Sequence, residues 1–132
     1  MKNEKKSALN MENEDNIVLS KAEAYAIRII KLYRYLQKEK NEKIMSNQLL
    51  RCGTSVGANL TESNDSISHA EFIAKTQIAL KECSESLYWL KLLVSTEYIT
   101  QIQYESIFSD GKDIQRLLIA ILKSAKSNPR DW

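Results

Sequence analysis

Apolar residues recur every three or four positions along most of the chain. This spacing places side chains on one face of an α-helix, because a helix completes a turn in about 3.6 residues. Four separate segments show the pattern, and each predicts an amphipathic helix with one buried face. Their apolar stripes are Tyr25, Ile29, Leu32, Tyr33 and Leu36; Met45, Leu49, Cys52, Val56 and Leu60; Phe72, Ala79, Cys83, Leu87, Leu90 and Val94; and Ile107, Ile114, Leu118, Ile121 and Ala125.

Capping boxes mark where three of the helices are expected to begin. In this motif a Ser or Thr side chain accepts a backbone N–H, and a Glu or Gln three residues later reaches back to the cap. The motif occurs as Ser20 with Glu23, Ser68 with Glu71 and Thr100 with Gln103. Together with the stripes, these signals predict helices over about 20–40, 44–63, 68–96 and 100–126.

The connections between these helices are short, and the chain has only 3 Gly and 1 Pro. So few breakers argue against a turn-rich sheet protein, and short connections force neighbouring helices antiparallel. We therefore expect an all-α, up-down-up-down four-helix bundle over residues 17–126. Gly111 is expected to lie inside a continuous fourth helix. Residues 1–16 are expected to form a mobile tail, and residues 127–132 a C-terminal tail.

The sequence offers no sign of secretion or of a membrane anchor. The first 16 residues are mostly polar, unlike a signal peptide, and no apolar run approaches the ~20 residues that span a bilayer. We expect a cytoplasmic protein whose two cysteines, Cys52 and Cys83, stay reduced.

Few residues are available for catalysis. His69 is the single histidine, and neither a second histidine nor a phosphate-binding glycine loop is present. The usual nucleophile–base pairs and helical metal sites therefore lack members, and we expect neither an enzyme nor a cofactor.

The third helix is apolar on more than one side. Opposite its core stripe lie further apolar residues, and water would contact them unless another subunit covers them. This pattern predicts an oligomer interface at Ile78, Trp89, Leu92 and Leu93. The alternative is that these residues only widen the seam within one bundle.

The second helix combines two glycines with a polar row. Gly53 and Gly57 lie one turn apart, so we expect another backbone or a bulky side chain to approach that face. Arg51 is expected to pair with a carboxylate such as Glu62 or Glu85. The row, which is either a hydrogen-bonded network or a solvated face, consists of Gln48, Arg51, Ser55, Asn59 and Glu62.

The net charge of +2 is too small to indicate a nucleic-acid binder by itself. Basic residues nevertheless form rows on the outer faces of the first and fourth helices. Such rows suit contacts with phosphates, although many are only solvated surface. The candidate nucleic-acid-binding residues are Arg28, Lys31, Arg34, Lys112, Arg116 and Lys123.

Several runs of residues resemble one known family. The run from Gln48 to Glu62, QLLRCGTSVGANLTE, is similar to the second-helix signature of the proteins encoded in 23S rRNA intervening sequences. The resemblance continues through 71–73, 78–85 and 88–90 and covers about residues 20–125. A departure is Ser63, where many members have glycine.

The resemblance implies a four-helix bundle that assembles as a ring-shaped homopentamer. The family is also similar to the accessory variability protein of diversity-generating retroelements, which binds nucleic acid and a reverse transcriptase. These likenesses favour a non-catalytic oligomer that binds RNA or DNA, with a reverse transcriptase or another protein as a further partner. The alternative is a protein-binding adaptor or scaffold that has no nucleic-acid role.

Overall fold

The computed structural model describes the backbone of residues 2–127 and the side chains of residues 15–127. Within that part of the chain, all regular secondary structure is helical, which confirms the predicted fold class. The helices are α1 (Lys2–Lys38), α2 (Ile44–Asn64), α3 (His69–Ser95) and α4 (Gln101–Ser127). Contacts join α1 to α2, α2 to α3, α3 to α4 and α4 to α1, so each helix packs against two neighbours. The diagonal pairs are α1 with α3 and α2 with α4.

A single core fills the space between the four helices. Each predicted stripe contributes to it, and residues such as Ile29, Leu49, Leu90 and Leu118 are completely buried. Burial of one such side chain stabilises the fold by about 1.5–3 kcal/mol. Hydrophobic burial along the four stripes is therefore what holds the helices together.

One of the predicted capping boxes is complete, at Thr100, and a second, at Ser68, has its side-chain cap while the Glu71 carboxylate accepts the N–H of Ile67 instead. Ser68 Oγ accepts the Glu71 N–H at 3.1 Å, and Thr100 Oγ1 accepts the Gln103 N–H at 3.2 Å. The Gln103 side chain accepts the Thr100 N–H in return at 2.9 Å. These bonds fix where α3 and α4 begin, as the sequence predicts.

The start of α2 uses a different cap. The buried carboxylate of Glu42 accepts the N–H groups of Ile44, Met45 and Ser46 at 2.8–3.0 Å. Three backbone donors that have no partner inside the helix are satisfied by this one side chain.

The predicted start of the first helix at Ser20 is wrong, because α1 begins at Lys2 and Ser20 lies in its interior. Residues 2–16 contain no glycine or proline and are rich in good helix formers. The core also reaches further back than predicted: Val18 and Ala22 are buried and continue the spacing of Tyr25. The predicted mobility of residues 1–16 stays a prediction.

The far end of the chain follows the predicted boundary closely. Helix α4 ends at Ser127, next to the expected end at residue 126, while residues 128–132 of the predicted tail lie outside the described residues. The fourth helix is continuous through Gly111, as predicted. A Cβ at this position would lie 2.6 Å from the Leu87 side chain and 3.0 Å from the Tyr25 hydroxyl, which explains why glycine is present.

Candidate functional site

Positive charge is concentrated on the C-terminal half of α1 and the residues just after it. Residues 21–40, which we call the basic segment, contain six basic and two acidic residues. Its net charge of +4 exceeds the +2 of the whole chain, so the remaining residues together carry a net charge of −2. Of the basic side chains, five are exposed and one is half-buried: Lys21, Lys31, Arg34, Lys38, Lys40 and, half-buried, Arg28.

Arg28 connects the basic segment to α4. Its guanidinium donates to the Asp110 carboxylate at 2.6 Å and to the Ser106 hydroxyl at 2.9 Å. About 40% of the Arg28 side chain remains exposed, so water weakens this ion pair. Arg28 is therefore held against α4, while Lys31 and Arg34 are exposed one and two turns further along α1.

The basic residues of α4 are less available. Lys112 donates to Gln115 at 2.9 Å, and Gln115 donates to Ser84 of α3 at 3.1 Å, so Lys112 lies toward α3. Arg116 lies 3.8 Å from the Asp113 carboxylate. Lys123 is exposed. The six predicted residues thus lie on two helices, and two of them, Arg28 and Arg116, have acidic partners.

Arg51 of α2 binds two carboxylates of α3. It pairs with Glu82 at 3.2 Å and with Glu85, which also accepts the Trp89 indole N–H at 3.0 Å. The hydrogen bond from Trp89, with help from Arg51, lowers the pKa of Glu85. The predicted partner Glu85 is confirmed. Sequence reasoning missed Glu82, which lies one turn before Glu85 on the same helix.

Of the rest of the polar row, only Gln48 joins this cluster. The predicted alternative partner Glu62 is wrong. Glu62 lies about three turns further along α2 than Arg51, and its carboxylate is 3.6 Å from Lys75 instead. The Asn59 amide instead donates to the hydroxyl and carbonyl of Ser55 within α2. Gln48 accepts a long hydrogen bond of 3.4 Å from Arg51. The row therefore forms three separate groups.

One of the four predicted interface residues is not on the surface. Leu93 is completely buried in the core of its own bundle, about one helical turn after the equally buried Leu90. That prediction is wrong. Ile78 is 40% exposed, and Trp89 and Leu92 are partly exposed. The neighbouring Tyr88 is also exposed and meets the Trp89 ring edge-on, with the centroids 5.3 Å apart.

The centre of the bundle contains a small buried polar cluster. The Tyr25 hydroxyl and the Ser86 hydroxyl are 2.8 Å apart, and Ser86 donates to the Cys83 carbonyl at 2.6 Å. Since the Ser86 proton is used in that bond, Tyr25 is the donor to Ser86. Burial raises the pKa of Tyr25 and raises the pKa of both cysteine thiols to about 12. Both thiols are free and buried, as predicted, and at neutral pH they are protonated and weakly reactive.

A shallow open groove of about 400 Å³ lies at the end of the bundle where α1 ends and α3 connects to α4. We call it the end groove. Two tyrosines, one lysine and one glutamate, Glu97, line it, together with polar residues from the start of α4. Its lining includes Tyr35, Lys40, Val94, Tyr98, Gln101 and Gln103. The sequence pattern did not reveal it, because its walls come from distant parts of the chain.

Neither a metal site nor a membrane span is found in the described part of the chain. Among those residues, no three His, Cys, Asp or Glu side chains are grouped so that they could hold a metal ion. The described helices also include none that is long and apolar enough to cross a membrane.

Comparisons with known proteins point to one family. Residues 14–120 match the family model described as the 23S rRNA-intervening sequence protein. Among solved structures, the chain is similar to the crystal structure of a protein with unknown function from the S23 ribosomal protein family of Bacteroides thetaiotaomicron. The two are 52% identical with a TM-score of 0.82, over 83% of this chain and 98% of the other. No curated protein matches the chain significantly.

Proposed function

Since the chain belongs to the 23S rRNA-intervening sequence protein family, we propose that it is a non-catalytic, oligomeric protein of the cytoplasm that binds RNA or DNA through the basic segment. The observation that carries this proposal is the concentration of charge. Six basic and two acidic side chains within 20 residues of one helix and its end give this segment a net charge of +4, on a chain whose net charge is only +2. Exposed lysines and arginines at this density suit the phosphates of a nucleic-acid backbone.

The structure changes the relative weight of the predicted binding residues. Lys31 and Arg34 are exposed and belong to the basic segment, whereas Arg28 and Arg116 already face aspartates. We therefore assign the main phosphate contacts to Lys31, Arg34 and Lys38. The α4 residues Lys112, Arg116 and Lys123 would contribute a weaker, second contact.

Self-association would strengthen the weak contact that a single basic segment can make with nucleic acid. The partly exposed residues Ile78, Trp89 and Leu92 of α3 support an interface with another copy, and the family resemblance favours a pentamer. An oligomer repeats the basic segment in every subunit, and linked contacts raise apparent affinity by about 10²- to 10⁴-fold. A long polyanion could then be held although each chain contributes little net charge.

A binding titration with matched variants tests the proposal. Fluorescence anisotropy with labelled RNA at several salt concentrations gives the slope of log affinity against log salt, which is about 0.7–0.9 per phosphate neutralised. The double substitution Lys31→Gln/Arg34→Gln should weaken binding and flatten the slope. The control Lys81→Gln/Lys91→Gln removes the same charge from exposed positions of α3 and should change the slope far less.

The test also has clear negative outcomes. If the wild-type protein does not bind RNA or DNA at low salt, the proposal is wrong. Equal slopes for the two double variants would mean that the basic segment is only a solvated face.

A protein-binding adaptor is the second candidate, and exposed isoleucines favour it. Ile44, Ile67 and Ile102 are 80–87% exposed, and each lies in or next to a connection between helices. Large apolar side chains at such positions suit a protein partner, such as a reverse transcriptase. A stable complex that survives nuclease treatment, and that Lys31→Gln/Arg34→Gln leaves intact, would favour this function over nucleic-acid binding.

A further inference from the structure

We propose that the end groove takes up an unpaired base, so that the protein prefers single-stranded nucleic acid to a duplex. This inference rests on the proposed function, since it states which form of nucleic acid the basic segment holds. The groove, the tyrosines that line it and its position beside the basic segment each support the inference.

The end groove has the size and lining of a site for a planar ring. Its volume of about 400 Å³ lies within the ~300–1,000 Å³ of small-ligand sites. Tyr35 of α1 and Tyr98 of the α3–α4 connection both line it, and both rings are only partly buried. A base can stack on a tyrosine whatever its identity, because every base has a π-face.

The wall that carries Tyr98 is fixed in place before any ligand arrives. Three backbone hydrogen bonds close the end of α3, from Thr96 to Leu92, from Glu97 to Val94 and from Tyr98 to Leu93, at 2.9–3.1 Å. The next residue, Ile99, is buried in the core. A preorganised wall loses little entropy on binding, which increases the affinity it can provide.

The charge beside the groove matches the backbone that carries the base. Lys40 and Glu97 both line the groove, so their charges offset each other there, and the positive charge comes from Lys38 and Arg34, which precede it on the basic segment. Lys38 and Arg34 are one helical turn apart, about 6 Å along the helix axis, which is close to the spacing of phosphates in a single strand. A base in the groove would therefore place its neighbouring phosphates along these cations. A duplex keeps its bases stacked inside and cannot supply one without unpairing.

The test compares single-stranded and double-stranded RNA of the same length on the full chain. The single strand carries 2-aminopurine at one internal position, whose fluorescence falls when the base stacks. We expect quenching with the wild-type protein and tighter binding of the single strand than of the duplex. Tyr98→Leu should weaken single-strand binding roughly tenfold and reduce the quenching, because it removes a stacking face. It should leave duplex binding and the salt slope unchanged.

Two further variants separate stacking from damage to the fold. Tyr98→Phe keeps the ring and should bind like the wild type. Tyr33→Leu changes a partly buried tyrosine of α1 that does not line the groove and should also leave single-strand binding unchanged. Unquenched 2-aminopurine in the wild-type complex, or equal loss of single-strand and duplex binding in Tyr98→Leu, would overturn this inference while RNA binding stands. Binding of neither RNA would overturn the proposed function and this inference with it.

Discussion

At the scale of single residues, the glycines of α2 show how much a pattern reveals. Their spacing predicts a close approach on one helix face, and the structure confirms it, since α1 packs there. The sequence does not tell the two positions apart, because the partner side chains lie on another helix. A Cβ at Gly53 would lie 2.9 Å from Ile29 Cγ2, whereas a Cβ at Gly57 would be 3.8 Å from the Ala22 Cβ.

The first prediction follows from this difference. Gly53→Ala should lower the free energy of unfolding by about 1–2 kcal/mol, because the overlap with the stiff, buried Ile29 outweighs the gain in helix propensity. Gly57→Ala makes only ordinary contacts and should raise it by up to about 1 kcal/mol. Urea unfolding followed by circular dichroism, at one fixed protein concentration, measures both. A stabilised Gly53→Ala protein would show that α1 can move away from α2.

At the scale of helices, the stripes and capping boxes predict α2, α3 and α4 to within about one residue at most ends. The start of α1 was missed because residues 1–16 are mostly polar and show no apolar stripe that would predict a helix. The Glu42 cap was missed because the usual box has Ser, Thr, Asp or Asn at the capping position. A helix end that is closed by backbone hydrogen bonds, such as the end of α3, needs no side-chain motif and is therefore harder still to predict from the sequence.

The end of α3 supplies the second prediction. Glu97 adopts a left-handed backbone conformation with φ of 67°, which glycine accepts and other residues occupy at a cost of about 1–2 kcal/mol. Glu97→Gly should therefore raise the free energy of unfolding by about 1 kcal/mol. The control Glu105→Gly, at an exposed position inside α4, should lower it by a similar amount. Thermal unfolding of the two variants gives opposite shifts in Tm if the backbone conformation decides the outcome.

At the scale of the whole molecule, the sequence predicted the bundle better than the surfaces that the bundle presents. Burial follows from periodicity, so most core residues were predicted directly, and Val18, Ala22 and Leu93 are the exceptions described above. The surface sites depend on which helices lie side by side: the two carboxylates around Arg51, the aspartate opposite Arg28 and the end groove each combine residues from different helices. Leu93 was misplaced because its apolar character fits either the core or an interface.

The third prediction concerns assembly. Wild-type protein should elute in size exclusion with light scattering at close to five times the 15.2 kDa of one chain. Ile78→Glu should shift the mass toward that of a single chain, because it would bury a charge in the interface without touching the core. Ile119→Glu makes the same change at an exposed site on α4 and should leave the mass unchanged. A wild-type mass near 15.2 kDa would rule out the oligomer.

The hydrogen bond between Tyr25 and Ser86 has a consequence for how the chain folds. It joins α1 to α3, diagonal helices that are otherwise separated by the width of the core, and it links residues 61 positions apart in sequence. The bond therefore requires that α2 reverses the chain and that α1 and α3 have their native relative heights. Sliding α1 by one turn would move the hydroxyl about 5.4 Å along the helix axis, away from Ser86, and a buried donor left unpaired costs about 1–3 kcal/mol. The tyrosine therefore distinguishes the native packing from compact bundles that have the same helix content but a shifted register. A compact state without fixed side-chain packing would lack this hydrogen bond.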